Sequence, residues 1–347
     1  MNEMEKRVVI AYIGNGKSAN RYHLPFVLTR PEKFRVKTIF QRTLRPTMWE
    51  HLPGVNYTDK LNEILLDPEI DVVVVTTPTQ AHYETACKVL KAGKHCIIEK
   101  PFATSVEEAV DLFQLASENN VIVECYQNRR FDSDFVTVQK VIESGRLGEL
   151  FEVNMHYDYY RAHIPEGEAE YSRSNAFLYT HACHTVDQVI SYFGIPQEVR
   201  SDVRQLMGNG RMNDYFDLDF FYEGFKVSVK SSYFRAKQRP SFEVYGKLGV
   251  FIKEEQDQQE ADLKKFYLPV GHADFGMDKP SQYGTLTCYD EAGNYHEEKV
   301  VSERGDYTYY YDALYETVLN GAAPLVMEEQ TMVQMKILAE AEKMLFK

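Results

Sequence analysis

Residues 8–23 read VVIAYIGNGKSANRYH. A β-branched run stops at a glycine and passes into a helix-compatible stretch. Gly14, Gly16 and Ala19 stand in a G-x-G-x-x-A frame. In such a frame the first glycine permits the tight strand-to-helix turn. The second lets the backbone approach a pyrophosphate, and the small third residue lets the helix pack close to the strand. Amides at the start of that helix then hold phosphate oxygens.

What surrounds the frame gives it meaning. From Val8 to Tyr126, short β-branched runs alternate with amphipathic stretches. The runs are Val8–Ile13, Phe34–Phe40, Asp71–Thr76, His95–Ile98 and Val121–Cys125. Between them, HYETACKVLKAG ends in Gly93, a helix stop, and Ser105 with Glu108 forms a capping box before an apolar-periodic segment. Alternation of this kind predicts βαβ units and a parallel sheet covered on both faces. DVVVVTTP, apolar without alternation, fits a strand buried on both sides. The second strand ends in Phe40-Gln41-Arg42-Thr43-Leu44-Arg45. An NAD site usually has an acid there to hold the ribose 2′-hydroxyl. Two arginines and no acid favour a 2′-phosphate, so NADP is the expected cofactor, with NAD as the alternative.

Length and composition bound the rest. A chain of 347 residues predicts two domains, here 1–126 and 127–347. A net charge of −13 argues against nucleic-acid binding and anionic membranes. No apolar run approaches the roughly 18 residues of a membrane span, and the start MNEMEKRVV lacks a signal core. The five cysteines are scattered without a CxxC pair, as in a reducing cytoplasm. After Gly148, alternating runs (LFEVNMHYDYY, DYFDLDFFYEGFKVSVKSSYF, SFEVYGKLGVFIK, YGTLTCYD, NYHEEKVV) predict strands, with hairpin turns at Tyr222–Phe225 and Gly246–Gly249. The acidic EEQDQQEAD, 254–262, reads as a solvated loop.

Taken in order, Gly14-x-Gly16-x-x-Ala19, Thr76-Thr77-Pro78 with His82, Glu99-Lys100-Pro101, Asn128-Arg129-Arg130-Phe131 and His184-x-x-Asp187 resemble the glucose–fructose oxidoreductase / inositol dehydrogenase / MocA-like (Gfo/Idh/MocA) family. The closing GDYTYYYDALYETVLNG resembles a branch whose substrates are generally unassigned. The resemblance implies an N-terminal Rossmann dinucleotide-binding domain and a C-terminal α/β domain with a large open, mostly antiparallel sheet. That sheet would be covered in a homodimer or homotetramer. The C-terminal helices would pack back on the first domain.

The resemblance also implies chemistry. An NAD(P)-dependent enzyme would move a hydride between nicotinamide and a secondary hydroxyl or ketone of a sugar, polyol or inositol. Lys100 would stand beside the nicotinamide as the group stabilising the substrate oxygen, with His184 managing the proton. Thr76, Thr77, Pro78, His82, Glu99, Lys100 and Asn128 would join the glycine turn and Arg42 around the cofactor, and Pro101 would follow a cis bond. Arg129, Thr180, His181 and His184 would face the substrate. The segment MHYDYYRAH, 155–163, read on its own as running toward the cleft, would add Tyr157, Tyr160 and Arg161, with rings against C–H faces and Arg161 holding a carboxylate or phosphate.

One position departs from the family. Where an Asp usually stands four residues before the histidine, this chain has Thr180, and His181 beside it projects about 100° away on a regular helix. His181 and His184 have i, i+3 spacing, but no carboxylate or cysteine joins them in a ligand motif, so no metal is expected. Thr180 keeps two other readings open. One is a cofactor-binding regulator without catalysis; the other is a redox-neutral enzyme that retains NAD. On the same helix, Thr180, His184, Asp187, Gln188 and Ser191 form a polar stripe opposite an apolar one. Asp187 takes a structural part in this reading.

Overall fold

Apolar runs without alternation should lie in the middle of a covered sheet, and the computed structural model places them there. It describes residues 6–44, 49–163, 170–290 and 292–346; Arg45 lies outside them. The chain divides into two units. One comprises Met1–Gln127, Asp262–Phe275 and Tyr307–Met332; the other comprises Asn128–Ala261, Gly276–Asp306 and Val333–Lys347.

The first unit holds six parallel strands, β1 (Val8–Ile13), β2 (Phe34–Phe40), β3 (Asn56–Thr58), β4 (Val72–Val75), β5 (His95–Ile98) and β6 (Val123–Cys125). Their order is β3-β2-β1-β4-β5-β6. The order reverses between β1 and β4, which pair directly. In sheets of this type, ligands bind in the crevice at the carboxyl ends of the strands beside that point. All four valines of β4 are fully buried. β3, only three residues of mixed polarity, is too short to show a period; it is defined by pairing with β2.

Helices α1 (Leu24–Val27), α2 (Asn62–Leu65), α3 (His82–Lys91) and α4 (Val106–Glu118) belong to this unit. Gly93, at φ +71°, ends the α3 region. Ser105 caps α4 by accepting from Glu108 N at 3.1 Å. The return bond goes one residue further out than a regular capping box: Glu108 accepts from Thr104 N and Oγ1, both at 2.8 Å. Later in the chain, α8 (Thr308–Asn320) supplies Tyr310 and Tyr311, fully buried. Asp312 takes Arg30 at 3.0 Å and Lys33 at 2.7 Å.

The second unit contains α5 (Ser133–Glu143), β7 (Leu150–His156), α6 (Cys183–Phe193), β8 (Glu198–Arg204), β9 (Tyr215–Phe221), β10 (Lys226–Ser232), β11 (Phe242–Gly246) and β12 (Gly249–Lys253), followed by α7 (Gln258–Lys264), β13 (Gly284–Tyr289), β14 (Tyr295–Val300) and α9 (Glu328–Glu342). α7 and α9 each run across a boundary between the units. The sheet order is β14-β13-β12-β11-β7-β10-β9-β8. β7 and β10 pair in parallel, and the other neighbours are antiparallel. Gly224, at φ +84°, makes the first expected hairpin turn, and Gly246 pairs with Gly249 across the second. Gly246 also passes so close to Leu147 that a Cβ would meet its carbonyl oxygen. β9 alternates in burial, with Phe216, Leu218 and Phe220 inward. They join Val186, Val189 and Ile190 of α6 in one core.

The acidic stretch is not a solvated loop. Asp257, Gln259 and Glu260 are buried, because each finds a partner. Asp257 accepts from Ser133 N at 2.8 Å at the start of α5. Gln259 donates to Phe131 O at 3.1 Å, and Glu260 pairs with Arg129 at 3.2 Å.

Candidate functional site

The glycine turn is built by close contact. Gly14 has φ +124°, and a Cβ there would lie 2.5 Å from Thr76 Oγ1 and 2.7 Å from Thr76 O. Gly16 differs: a Cβ would meet no protein atom within 4 Å. Its bareness therefore serves no packing need of the protein and leaves a cradle beside the turn. Asn15 donates to Gln41 at 2.9 Å, and Asn20 to Asn15 at 2.9 Å. The β2 end is thus tied to the turn by amides. Arg42 is exposed and makes no ion pair among the described residues. Thr77 Oγ1 is shielded from solvent with no partner among the described residues, a donor that fits a bound nucleotide better than an empty interior.

These contrasts set a test. Gly14→Ala is expected to lower the urea midpoint, since both φ and the Thr76 contacts oppose a side chain. Gly16→Ala should hold stability within about 0.5 kcal/mol, as at an unstrained open site. It should weaken NADPH about tenfold or more by blocking backbone approach. Fluorescence titration and urea melts of both variants check this; equal behaviour of the two would refute the division of roles.

The helical turn after Gly16 widens into a π segment, Ala19–His23, before α1. π segments recur at functional sites. This one carries His23, fully buried. His23 Nε2 lies 3.0 Å from Glu99 Oε1, and Nδ1 lies 2.6 Å from the Tyr311 hydroxyl. Tyr126 packs against the imidazole, centroids 3.9 Å apart. Ser18 also donates to Glu99, and Lys100 N donates to its other oxygen at 3.0 Å. Burial alone would raise the Glu99 carboxyl. The His23 hydrogen bond and charge, with Lys100 and Ser18, outweigh it and hold the group at about 2. Glu99 is a fixed carboxylate that links the glycine turn to the Lys100 loop. The Lys100–Pro101 bond is cis. The Lys100 ammonium makes no hydrogen bond or ion pair with any described residue.

His82 faces Pro101 O and Thr77 O through its two ring nitrogens, both at 2.9 Å. Burial pushes its pKa down against those carbonyls. The geometry makes His82 a clamp between two loops, with neither nitrogen turned to a ligand.

In the second unit, Asn128–Phe131 form a short turn held from α6. Arg130 donates to Asp187 through Nε and Nη2, both at 2.8 Å. Gln188 donates to Arg129 O at 2.7 Å. Burial pushes the Asp187 carboxyl up, and the guanidinium opposes it. Arg129 spends its charge on Asp132 at 3.0 Å and Glu260 at 3.2 Å, over the Tyr157 ring. Residues 183–190 of the helix are buried, Asp187 and Gln188 of the stripe because they find these protein partners, while Thr180 and Ser191 at its ends are half-buried. His184 lies in this buried run. The preceding turn, Leu178–Ala182, is a second π segment, so regular helical spacing does not apply to His181. Thr180 Oγ1 lies 2.9 Å from His181 Nδ1 and orients that ring. Tyr160 is 65% exposed. Among the described residues no three His, Cys, Asp or Glu side chains gather as metal ligands, and no helix is long and apolar enough to cross a membrane.

The first unit defines a dinucleotide-binding domain of an oxidoreductase, and comparison with known proteins makes the class specific. Residues 7–127 match the model of the oxidoreductase family with an NAD-binding Rossmann fold, and residues 135–252 match the GFO/IDH/MocA C-terminal domain. The chain belongs to the Gfo/Idh/MocA family of NAD(P)-dependent oxidoreductases. It is 41% identical to the uncharacterized oxidoreductase YhhX of Escherichia coli over 94% of each chain. It is 31% identical to scyllo-inositol 2-dehydrogenase (NADP(+)) IolW of Bacillus subtilis, covering 93% of this chain and 89% of that one. The crystal structure of YhhX superposes with a TM-score of 0.91 at 40% identity over 97% of this chain and 96% of that chain. That of an oxidoreductase from Bacillus cereus gives 0.88, also at 40% identity, over 96% and 95%.

Sequence reading missed His23, Ser18 and Tyr311. The histidine was visible at the end of the quoted segment, but its partners are 76 and 288 residues away, and no local pattern connects them.

Proposed function

We propose that this protein interconverts a secondary alcohol and a ketone on a polyol, sugar or inositol, with NADP(H) as the preferred cofactor. The observation that carries the reading is the unpartnered Lys100 ammonium, set next to a carboxylate that is itself tied to the glycine turn. The nicotinamide supplies or accepts the hydride. Gly14, Gly16, Ala19 and the Thr76–Pro78 loop hold the nucleotide, and Glu99 with Asn128 border it. Lys100 stabilises negative charge on the substrate oxygen, and His184 takes or returns the hydroxyl proton. The IolW relative, an inositol dehydrogenase that uses NADP, supports the substrate class and the cofactor preference.

Arg42 at the β2 end, with no acid there, carries the NADP preference. Arg42→Ala is expected to weaken NADPH about tenfold, the loss of one charge-assisted contact, and NADH by less than about twofold. Absorbance at 340 nm with a panel of aldoses, polyols and inositols tests the activity. Equal loss for both cofactors would overturn the 2′-phosphate assignment. Tight cofactor binding with no turnover on any panel member would overturn the dehydrogenase reading in favour of a regulator.

A further inference from the structure

Beyond the parallel pairing of β7 and β10 the two segments meet in a minimal ribbon, one isolated bridge of Tyr160 with Phe234 in antiparallel register. Arg161 N donates to Tyr233 O at 2.8 Å, and Arg235 N donates to Tyr159 O at 3.1 Å. Side chains alternate across such a ribbon. Tyr160 and Phe234, both exposed, therefore share one face, and Tyr159, Arg161, Tyr233 and Arg235 share the other. The second face meets the π turn of α6: the Tyr159 ring lies 5.2 Å from His181, and Tyr233 lies 4.2 Å from Phe177.

No described residue compensates the charge on this face. The Arg161 guanidinium lies 4.4 Å from the Tyr159 ring and 5.4 Å from the Tyr233 ring, and it is exposed at its outer side. The phenols do not neutralise it: burial pushes Tyr159 up to about 12 and raises Tyr233 as well. Arg235 Nε is shielded from solvent and has no acceptor among the described residues. Neither arginine forms an ion pair among the described residues. The neighbouring Arg239 shows the alternative, held by Asp158 at 2.8 and 2.9 Å. A shielded donor without a partner needs an explanation, and two guanidiniums on one aromatic face match a carboxylate or phosphate.

We infer that the face formed by Tyr159, Arg161, Tyr233 and Arg235 binds the oxyanion of an acidic polyol, a sugar carboxylate or a sugar phosphate. The aromatic rings cover the carbon chain, and His181 with the phenol hydroxyls takes its hydroxyl groups. That this polyol is the substrate rests on the oxidoreductase reading above; that it binds does not.

The test is calorimetry on the full chain with NADPH present, using gluconate, glucose 6-phosphate, sorbitol and myo-inositol. One or both acidic polyols should bind about tenfold or more tightly than the neutral ones, as for one good charge-assisted pair. Which of the two binds identifies the oxyanion. In R161Q/R235Q the preference should fall to within about twofold, and added salt should reduce it in the wild type. If R235Q disturbs folding, R161Q alone, at an exposed position, should still cut the preference at least about threefold. Equal binding of neutral and acidic polyols by the wild type, or an unchanged preference in R161Q, would overturn the inference. Parallel turnover assays separate the two claims. Acidic preference in binding without any turnover overturns the dehydrogenase reading alone. Turnover of neutral polyols with no acidic preference overturns this one alone.

Discussion

Lys100→Ala is expected to lower kcat by about 10² to 10³, the cost of losing one donor at a developing oxyanion, with a much smaller effect on cofactor affinity. The surroundings are built to fix the backbone under Lys100 while leaving its ammonium unused. Its own N–H is held by Glu99 at 3.0 Å. Glu99 is held in turn by Ser18 and by buried His23. The ammonium makes no hydrogen bond or ion pair with any described residue and acts on Glu99 through its charge alone, so its removal should change the melting temperature little. That separates a chemical effect from a structural one. A ketone gaining a hydride places negative charge on oxygen, which a positioned cation stabilises in the transition state. Stopped-flow measurement of nicotinamide absorbance on a turned-over polyol gives the rate of the step itself. A variant retaining more than about a third of wild-type kcat would remove Lys100 from the chemistry, since even a modest donor contributes more.

Much of the first unit was legible in the sequence. β1, β2 and β5 lie where the β-branched runs stood: β1 and β5 because a strand buried on both faces leaves a nearly unbroken apolar signature, and β2, FRVKTIF, because β-branched and aromatic residues favour a half-buried strand. Gly14 was legible for the same kind of reason: its backbone conformation and its closeness to Thr76 both demand glycine. β8 was not foreseen. Its sequence EVRSDVR alternates charge with small side chains, and it pairs on one side only, at the sheet edge, so edge pairing rather than burial defines it. The acidic 254–262 stretch misled because composition records charge and not partners. Arg129 and Ser133 N, more than a hundred residues earlier, turn it into a buried anchor. The two π segments were equally invisible. A widened turn has no residue signature, yet it decides where His23 and His181 point. The tyrosine-rich α8 stood out in the sequence through its family resemblance, but the His23 contact that gives Tyr311 its place belongs to tertiary structure alone.

Asp187→Ala is expected to destabilise the second unit by about 3–5 kcal/mol, the cost of stranding a buried charge. Both partners of the pair are nearly inaccessible, with side-chain exposures of 8% for Arg130 and 4% for Asp187. Arginine keeps its proton in proteins. Removing the carboxylate therefore takes the Asp187 counter-charge from a guanidinium that is nearly inaccessible to solvent. The damage should not stay local, because Arg130 and Arg129 sit in one turn that α6 holds at two points, Asp187 and Gln188. Releasing the first leaves Gln188 of α6 on this segment, with Gln259, Glu260 and Asp257 holding it from the far side. Urea unfolding followed by tyrosine fluorescence should show the lowered midpoint. The paired variant Arg130→Met/Asp187→Leu should recover most of it, since replacing both charges removes the stranded one. That recovery distinguishes an electrostatic anchor from simple packing loss. A single variant costing less than about 1 kcal/mol would show that the pair behaves as a solvated surface bridge. Failure of the double variant to recover would show that the α6 polar stripe is fixed by shape and not by charge.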